Sequence, residues 1–246
     1  MSVSIPTVVL GASGYVGGEL LRLIAGHPVF SLQAAVSDSG AGKPIGELFP
    51  HLDRALAGHT FAAHGEWLDW VEADSTLALF SAAPHGASAA IIADAIAACE
   101  KRGIEVHVVD SSADFRFADQ NTWETIYNSK HGAPDLLDQF VCALPEHVGD
   151  IDVAHVGHPG CFATASTLAT VPLSQSGLTE ADVSIRGVTG STGSGKRPPA
   201  GPHHPERNSN FYAYTPLAPR HAPEDAALAE ADRGRKTTVH FVPHSG

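Results

Sequence analysis

The chain has 246 residues, a formal net charge of −12 and 43% hydrophobic residues. It has core enough for one large domain or two smaller ones, and its acidic balance without a long basic cluster argues against a nucleic-acid or anionic-membrane partner. No apolar run reaches the roughly 18–20 residues that cross a bilayer, and the opening Met1-Ser-Val-Ser-Ile-Pro6 does not read as a signal peptide.

In chain order, Ile5 to Leu10 is a β-branched apolar run suited to a buried strand. Gly11-Ala-Ser13-Gly14-Tyr15-Val16-Gly17 follows, and then Leu20, Leu21, Leu23 and Ile24 recur at helical spacing. Strand, glycine turn and helix let a backbone approach a pyrophosphate, which then sits on the helix N-terminus. The spacing is GxxGxxG, and its context points to dinucleotide binding. A second strand, Leu32 to Val36, ends at Ser37-Asp38-Ser39. An acidic residue there favours NAD through the ribose 2′-OH, whereas Ser37 and Ser39, with Lys43 nearby, suit a 2′-phosphate; both readings stand.

Trp67 to Ala73 has a helical pattern, and Thr76 to Ala82 reads as a strand ending at Ala83-Pro84-His85-Gly86. An Ala-rich helix, 87 to 99, and a strand, 105 to 109, precede Asp110-Ser-Ser-Ala-Asp-Phe-Arg116. This alternation predicts an α/β chain with a Rossmann-type, doubly wound parallel sheet, whose ligands meet the carboxyl ends of the strands. Residues 121 to 138 read as loops and a short helix, and 153 to 157 as a further strand. The predicted division is a dinucleotide-binding domain, 1–157, and a catalytic domain, 158–246.

The second part opens on His158-Pro-Gly-Cys161, where turn chemistry runs into a helix-compatible stretch, 162 to 171. A cysteine at a helix N-terminus is favoured as thiolate, which makes Cys161 the candidate nucleophile. The three cysteines lack C-x-x-C spacing and the 15 histidines form no Cys/His cluster, so neither disulfides nor a metal site is expected, and a reducing cytoplasm suits the chain. A strand, 183 to 188, leads into Gly190-Ser-Thr-Gly-Ser-Gly195-Lys196-Arg197, whose N–H groups and two cations suit a phosphate or carboxylate. It lacks the P-loop frame, since Arg197 follows Lys196 and Pro-Pro stands where a helix should begin. Arg220-His221-Ala-Pro-Glu224 offers a histidine in polar surroundings, and 239 to 246 is strand-like.

Together these motifs resemble N-acetyl-gamma-glutamyl-phosphate reductase, of the semialdehyde dehydrogenase superfamily. The resemblance spans almost the whole chain and rests on Gly11–Leu20, Ser112–Arg116, Leu144-Pro-Glu146, His158–Thr164, Gly190–Arg197 and Arg220–Glu224. It implies an α+β catalytic and dimerisation domain after the nucleotide domain, NADP as cofactor, an acyl-phosphate substrate of arginine biosynthesis, and a dimer or tetramer. It also implies Cys161 as nucleophile and His221 as acid/base. Gly11, Ser13, Gly14, Tyr15, Val16, Gly17, Ser37 and Pro84 are the expected cofactor contacts, and Arg116, Lys196, Arg197 and Glu224 the expected substrate contacts.

The chain departs from that family with His158 in place of the usual Asn and Phe162 in place of Tyr. Members of the family run longer, so a truncated chain is expected. Reductases of aspartyl or carrier-linked aminoadipyl phosphate share the mechanism and are the near alternatives. A short-chain dehydrogenase needs Tyr-x-x-x-Lys, and Tyr127-Asn-Ser-Lys130 is one residue short; a non-catalytic nucleotide-sensing module is the remaining class.

Overall fold

Ile5–Leu10 forms β1, and the glycines that follow turn the chain into helix α1, Tyr15–Ala25. The computed structural model describes residues 4–147, 151–178, 182–196, 201, 203–214 and 238–246. Contacts divide the chain into two units, Met1–Val141 with Ile151–His158, and Cys142–Asp150 with Pro159–Gly246.

In the first unit β2 (Phe30–Val36), a short α2 (Ile45–Leu48) and β3 (Phe61–Ala62) follow α1. Then come β4 (Thr76–Ser81), α3 (Ser88–Glu100), β5 (Glu105–Asp110), α4 (Gln120–Tyr127), β6 (Phe140–Cys142) and β7 (His155–Gly157). They build a seven-stranded sheet in the order β3-β2-β1-β4-β5-β7-β6, parallel from β3 through to β7. Strands covered on both faces read as near-continuous apolar runs, and β1 shows why. Val8 and Leu10 pack with Leu77, Leu79, Ile92 and Ile96 on one face. Val9 packs with Leu21, Ile24, Phe49 and Phe61 on the other. The expected doubly wound α/β sheet is what forms. Its strand order reverses between β1 and β4, the place where such sheets open a crevice for ligands.

One expected helix does not form. Over Trp67–Trp70 there is a single 3₁₀ turn, and Val71 is already extended. The Arg102 guanidinium donates to the carbonyls of Leu68 and Val71, taking acceptors that a continuing helix would fill from its own backbone. Residues 120 to 127, by contrast, make a capped helix: Asp119 accepts from the Thr122 N–H at 2.7 Å.

In the second unit α5 (Cys161–Gln175) is followed by β8 (Asp182–Thr189), α6 (His204–Arg207), β9 (Tyr212–Ala213) and β10 (Thr238–Ser245). The sheet order is β8-β10-β9, with β10 parallel to β8 and antiparallel to β9. Helix and sheet meet through Phe162, whose ring lies 5.0 Å from that of Phe241, edge to face. The α+β character expected of this part is thus present.

Candidate active site

The parallel register levels five strand ends in the first unit. Val36 pairs with Leu10, Leu10 with Ser81, Ser81 with Asp110, and Asp110 with Gly157. The loops that leave these residues therefore emerge along one edge. Gly11 sits at φ 68°, and a Cβ there would lie 2.5 Å from the Ala82 carbonyl oxygen. A Cβ on Gly17 would lie 2.6 Å from the Ala12 Cα, so only glycine allows a turn this tight. The N-terminus of α1 receives no side-chain cap, and Tyr15 and Val16 in its first turn are half exposed. The turn thus offers a close backbone and an open helix terminus, the two requirements of a dinucleotide pyrophosphate. Ser37 is buried and donates to Ser13 Oγ at 2.7 Å, tying the end of β2 to the turn. Pro84 is exposed in the loop after β4, next to the Ala82–Ala83 backbone that Gly11 abuts.

The loops after β4 and β5 are joined by buried carboxylates. Asp114 accepts from the N–H groups of Gly86 and Ala89 at 2.8 and 3.0 Å, capping α3 from another loop. Asp110 accepts from Ser88 Oγ at 2.8 Å, Ser112 Oγ at 2.5 Å and the Ser112 N–H at 3.1 Å. Burial pushes the Asp110 carboxyl upward, against those three donors. Arg116 is 9% exposed and donates from Nε to the His158 carbonyl at 3.0 Å and from Nη2 to that of Ser111 at 3.2 Å. The His158 N–H in turn donates to the Asp110 carbonyl at 2.7 Å. His158 is thereby held through its backbone on both sides.

In the second unit Cys161 is the first residue of α5, after Gly160 in extended conformation with no side-chain cap. Its side chain is exposed, while Cys99 is buried and pushed up to about 11 by that burial. Cys142 is intermediate, so among the three thiols Cys161 alone combines exposure with a helix start. Beside it, Phe162 fits only because residue 187 is glycine: a Cβ there would lie 2.3 Å from the Phe162 ring. Tyr214, just after β9, was not singled out by any motif. Burial raises its hydroxyl above the ordinary value, and the charge of Cys161 raises it further. Its phenol therefore keeps its proton, and Cys161 lies within electrostatic reach of it. No spacing rule connects residue 214 to residue 161; the return of β9 against β10 does.

Lys196 is exposed beyond the 3₁₀ turn Ser191–Ser194, after Gly195 at φ 80°. Arg197, His221 and Glu224 lie outside the described residues. Among the described residues no three His, Cys, Asp or Glu side chains gather as a metal site.

Two family models match. The semialdehyde dehydrogenase NAD-binding domain covers residues 6–154, and the semialdehyde dehydrogenase dimerisation domain covers 161–246. N-acetyl-gamma-glutamyl-phosphate reductase of Methanopyrus kandleri is 37% identical over 96% of this chain and 66% of its own length. The [LysW]-L-2-aminoadipate/[LysW]-L-glutamate phosphate reductase of Saccharolobus solfataricus is 36% identical over 100% of this chain and 68% of its own. The chain thus spans about two thirds of the length of the curated relatives it matches. Among solved structures, aspartate semialdehyde dehydrogenase with NADP from Candida albicans shares the fold, with a TM-score of 0.60 at 15% identity over 98% of this chain and 67% of that one.

Proposed function

Because the chain belongs to the semialdehyde dehydrogenase family, we propose that it reduces N-acetyl-gamma-glutamyl phosphate to N-acetylglutamate 5-semialdehyde and phosphate, with NADPH, in arginine biosynthesis. The observation that carries the reading is Cys161, an exposed thiol at the first position of a 15-residue helix whose N-cap is Gly160, with no side-chain cap.

Cys161 attacks the acyl-phosphate carbonyl carbon, the bond to the phosphate oxygen breaks, and a thioester remains with free phosphate. Gly11, Ser13, Gly14, Tyr15, Val16 and Gly17, with Ser37 and Pro84, would hold the cofactor, which supplies hydride to the thioester carbon. The resulting oxyanion reforms its carbonyl as the carbon–sulfur bond breaks, releasing the semialdehyde. His221 is assigned the proton of Cys161, taken before attack and returned to the departing sulfur. Lys196, Arg197 and Glu224 are assigned to the substrate. Arg116, bonded to the Ser111 and His158 carbonyls, acts by holding the loop that carries it. The division of labour follows 1–157 for the cofactor and 158–246 for the substrate, and the dimerisation-domain match supports a homo-oligomer.

A second reading has its own support: the Saccharolobus relative, named for [LysW]-linked aminoadipate or glutamate phosphate, is similar to the same degree. The test is phosphate-dependent oxidation of each semialdehyde, free and carrier-linked, followed by cofactor absorbance. N-acetylglutamate 5-semialdehyde is expected to turn over at least tenfold faster. A faster carrier-linked substrate would move the assignment to the second reading. Cys161→Ser should lose at least 10³-fold in kcat, the scale of a lost nucleophile; wild-type turnover would remove the thioester mechanism.

A further inference from the structure

Resting on the dinucleotide reading of the first unit, we propose that Asp38 sets which nicotinamide dinucleotide the protein takes. Its carboxylate receives the adenosine-ribose diol, so the protein binds NAD(H) as well as NADP(H).

Val36, the last residue of β2, is in register with Leu10, and the glycine turn begins directly after Leu10. Residues just past Val36 therefore lie beside that turn. In sites of this type the end of the second strand meets the adenosine ribose, and an acidic residue there accepts from the 2′-OH. Two side chains compete for that role. Ser37 is 7% exposed, its N–H donates to the Ala62 carbonyl at 2.9 Å, and its single hydroxyl proton goes to Ser13 Oγ. Its hydroxyl proton is thus committed to the glycine turn, and Ser37 acts on the cofactor through that turn.

Asp38 is exposed, and Oδ1 accepts from the His64 N–H at 2.9 Å. That bond fixes the carboxylate, while its second oxygen has no partner among the described residues. An ionised carboxylate is an acceptor only, which suits two vicinal hydroxyls. The same charge opposes a 2′-phosphate. Lys43, exposed on the following loop, brings a cation that offsets this opposition, while the Ser39 hydroxyl lies 3.4 Å from Ser37 Oγ. Lys43 makes no ion pair among the described residues. Asp38 thus favours one dinucleotide while its neighbours accommodate the other.

The test is binding without substrate: fluorescence or calorimetric titration of the protein with NAD⁺ and with NADP⁺ separately. Asp38→Asn keeps an oxygen for the His64 N–H and removes the charge; Asp38→Ser is the second variant should the first fail to fold. Wild type is expected to bind both dinucleotides, and the variant to raise the NADP⁺ to NAD⁺ affinity ratio by about tenfold, the scale of one nearby charge. Lys43→Ala should weaken NADP⁺ alone. If both cofactors bind and the ratio moves less than twofold, Asp38 has no such role and the dinucleotide site stands. Wild type that binds NADP⁺ and rejects NAD⁺ overturns the proposal as well. If neither cofactor binds, the dinucleotide site falls and this proposal with it.

Discussion

His155 shows how one buried ring stands in for a piece of sheet. β5 and β7 share only the pairs Val109–Val156 and Asp110–Gly157. One position upstream, the Val108 N–H donates to His155 Nδ1 at 3.2 Å instead of to a strand carbonyl. The ring is 3% exposed and packs 4.9 Å from Phe140. Burial lowers its pKa most, the Ala154 backbone opposes that, and the charge of His107 adds to the lowering. The folded chain thus resists a proton that the unfolded chain accepts below about pH 6.5. A depressed histidine pKa gives stability that is fully present above that value and is lost as pH falls toward the folded value. Urea midpoints should therefore fall between pH 7.5 and 5.5. His155→Asn, which keeps an acceptor for Val108 and does not titrate, should flatten that fall. Parallel curves for the two proteins would place the pH dependence elsewhere. At this scale the sequence was uneven as a guide. The helix start at Cys161 was legible because a Pro-Gly turn and a helical run flank it locally. Tyr214 and the Asp114 cap were not, because each acquires its partner across the chain.

Among the elements, α5 packs on its sheet through Phe162, the residue next to the thiol. Phe162 follows Cys161 directly, and its ring occupies the space that a Cβ on Gly187 would need, with Phe241 2.9 Å from the same spot. Gly187→Ala must push one of the two rings aside, and overpacking of this kind costs about 1–3 kcal/mol. We expect lower thermal stability and a several-fold fall in kcat, with the dinucleotide dissociation constant unchanged. Phe162→Leu in the same background should recover part of both losses. A Gly187→Ala protein with full stability and turnover would show that α5 is not positioned through this contact. The elements that sequence patterning found are those with their own signal: the apolar runs of β1, β4 and β5, and the long helices after turn residues. The two-residue strands β3 and β9 exist only through their partners, Ala35–Val36 and His244–Ser245, and carry no pattern of their own. The Trp67 segment has a helical pattern, yet a distant arginine takes its carbonyls.

For the molecule as a whole, the residues assigned to the cofactor and the residue assigned to the nucleophile belong to different units. Every expected dinucleotide contact, from Gly11 to Pro84, lies in Met1–Val141. Cys161 lies in Pro159–Gly246. Binding that involves only the folded first unit stabilises it by RT ln(1 + [L]/Kd), about 2.7 kcal/mol at a hundredfold excess over Kd. For a unit of this size that corresponds to roughly 5–10 °C in Tm. Calorimetry with NADP⁺ should therefore raise the transition that contains the first unit, and Cys161→Ser should show the same rise as wild type while losing turnover. Gly11→Ala should abolish the rise, since its Cβ collides with the Ala82 carbonyl and the turn must open. Should Cys161→Ser abolish the cofactor shift instead, binding and chemistry would not separate along the unit boundary, and the nucleophile would have to be counted among the residues that hold the dinucleotide.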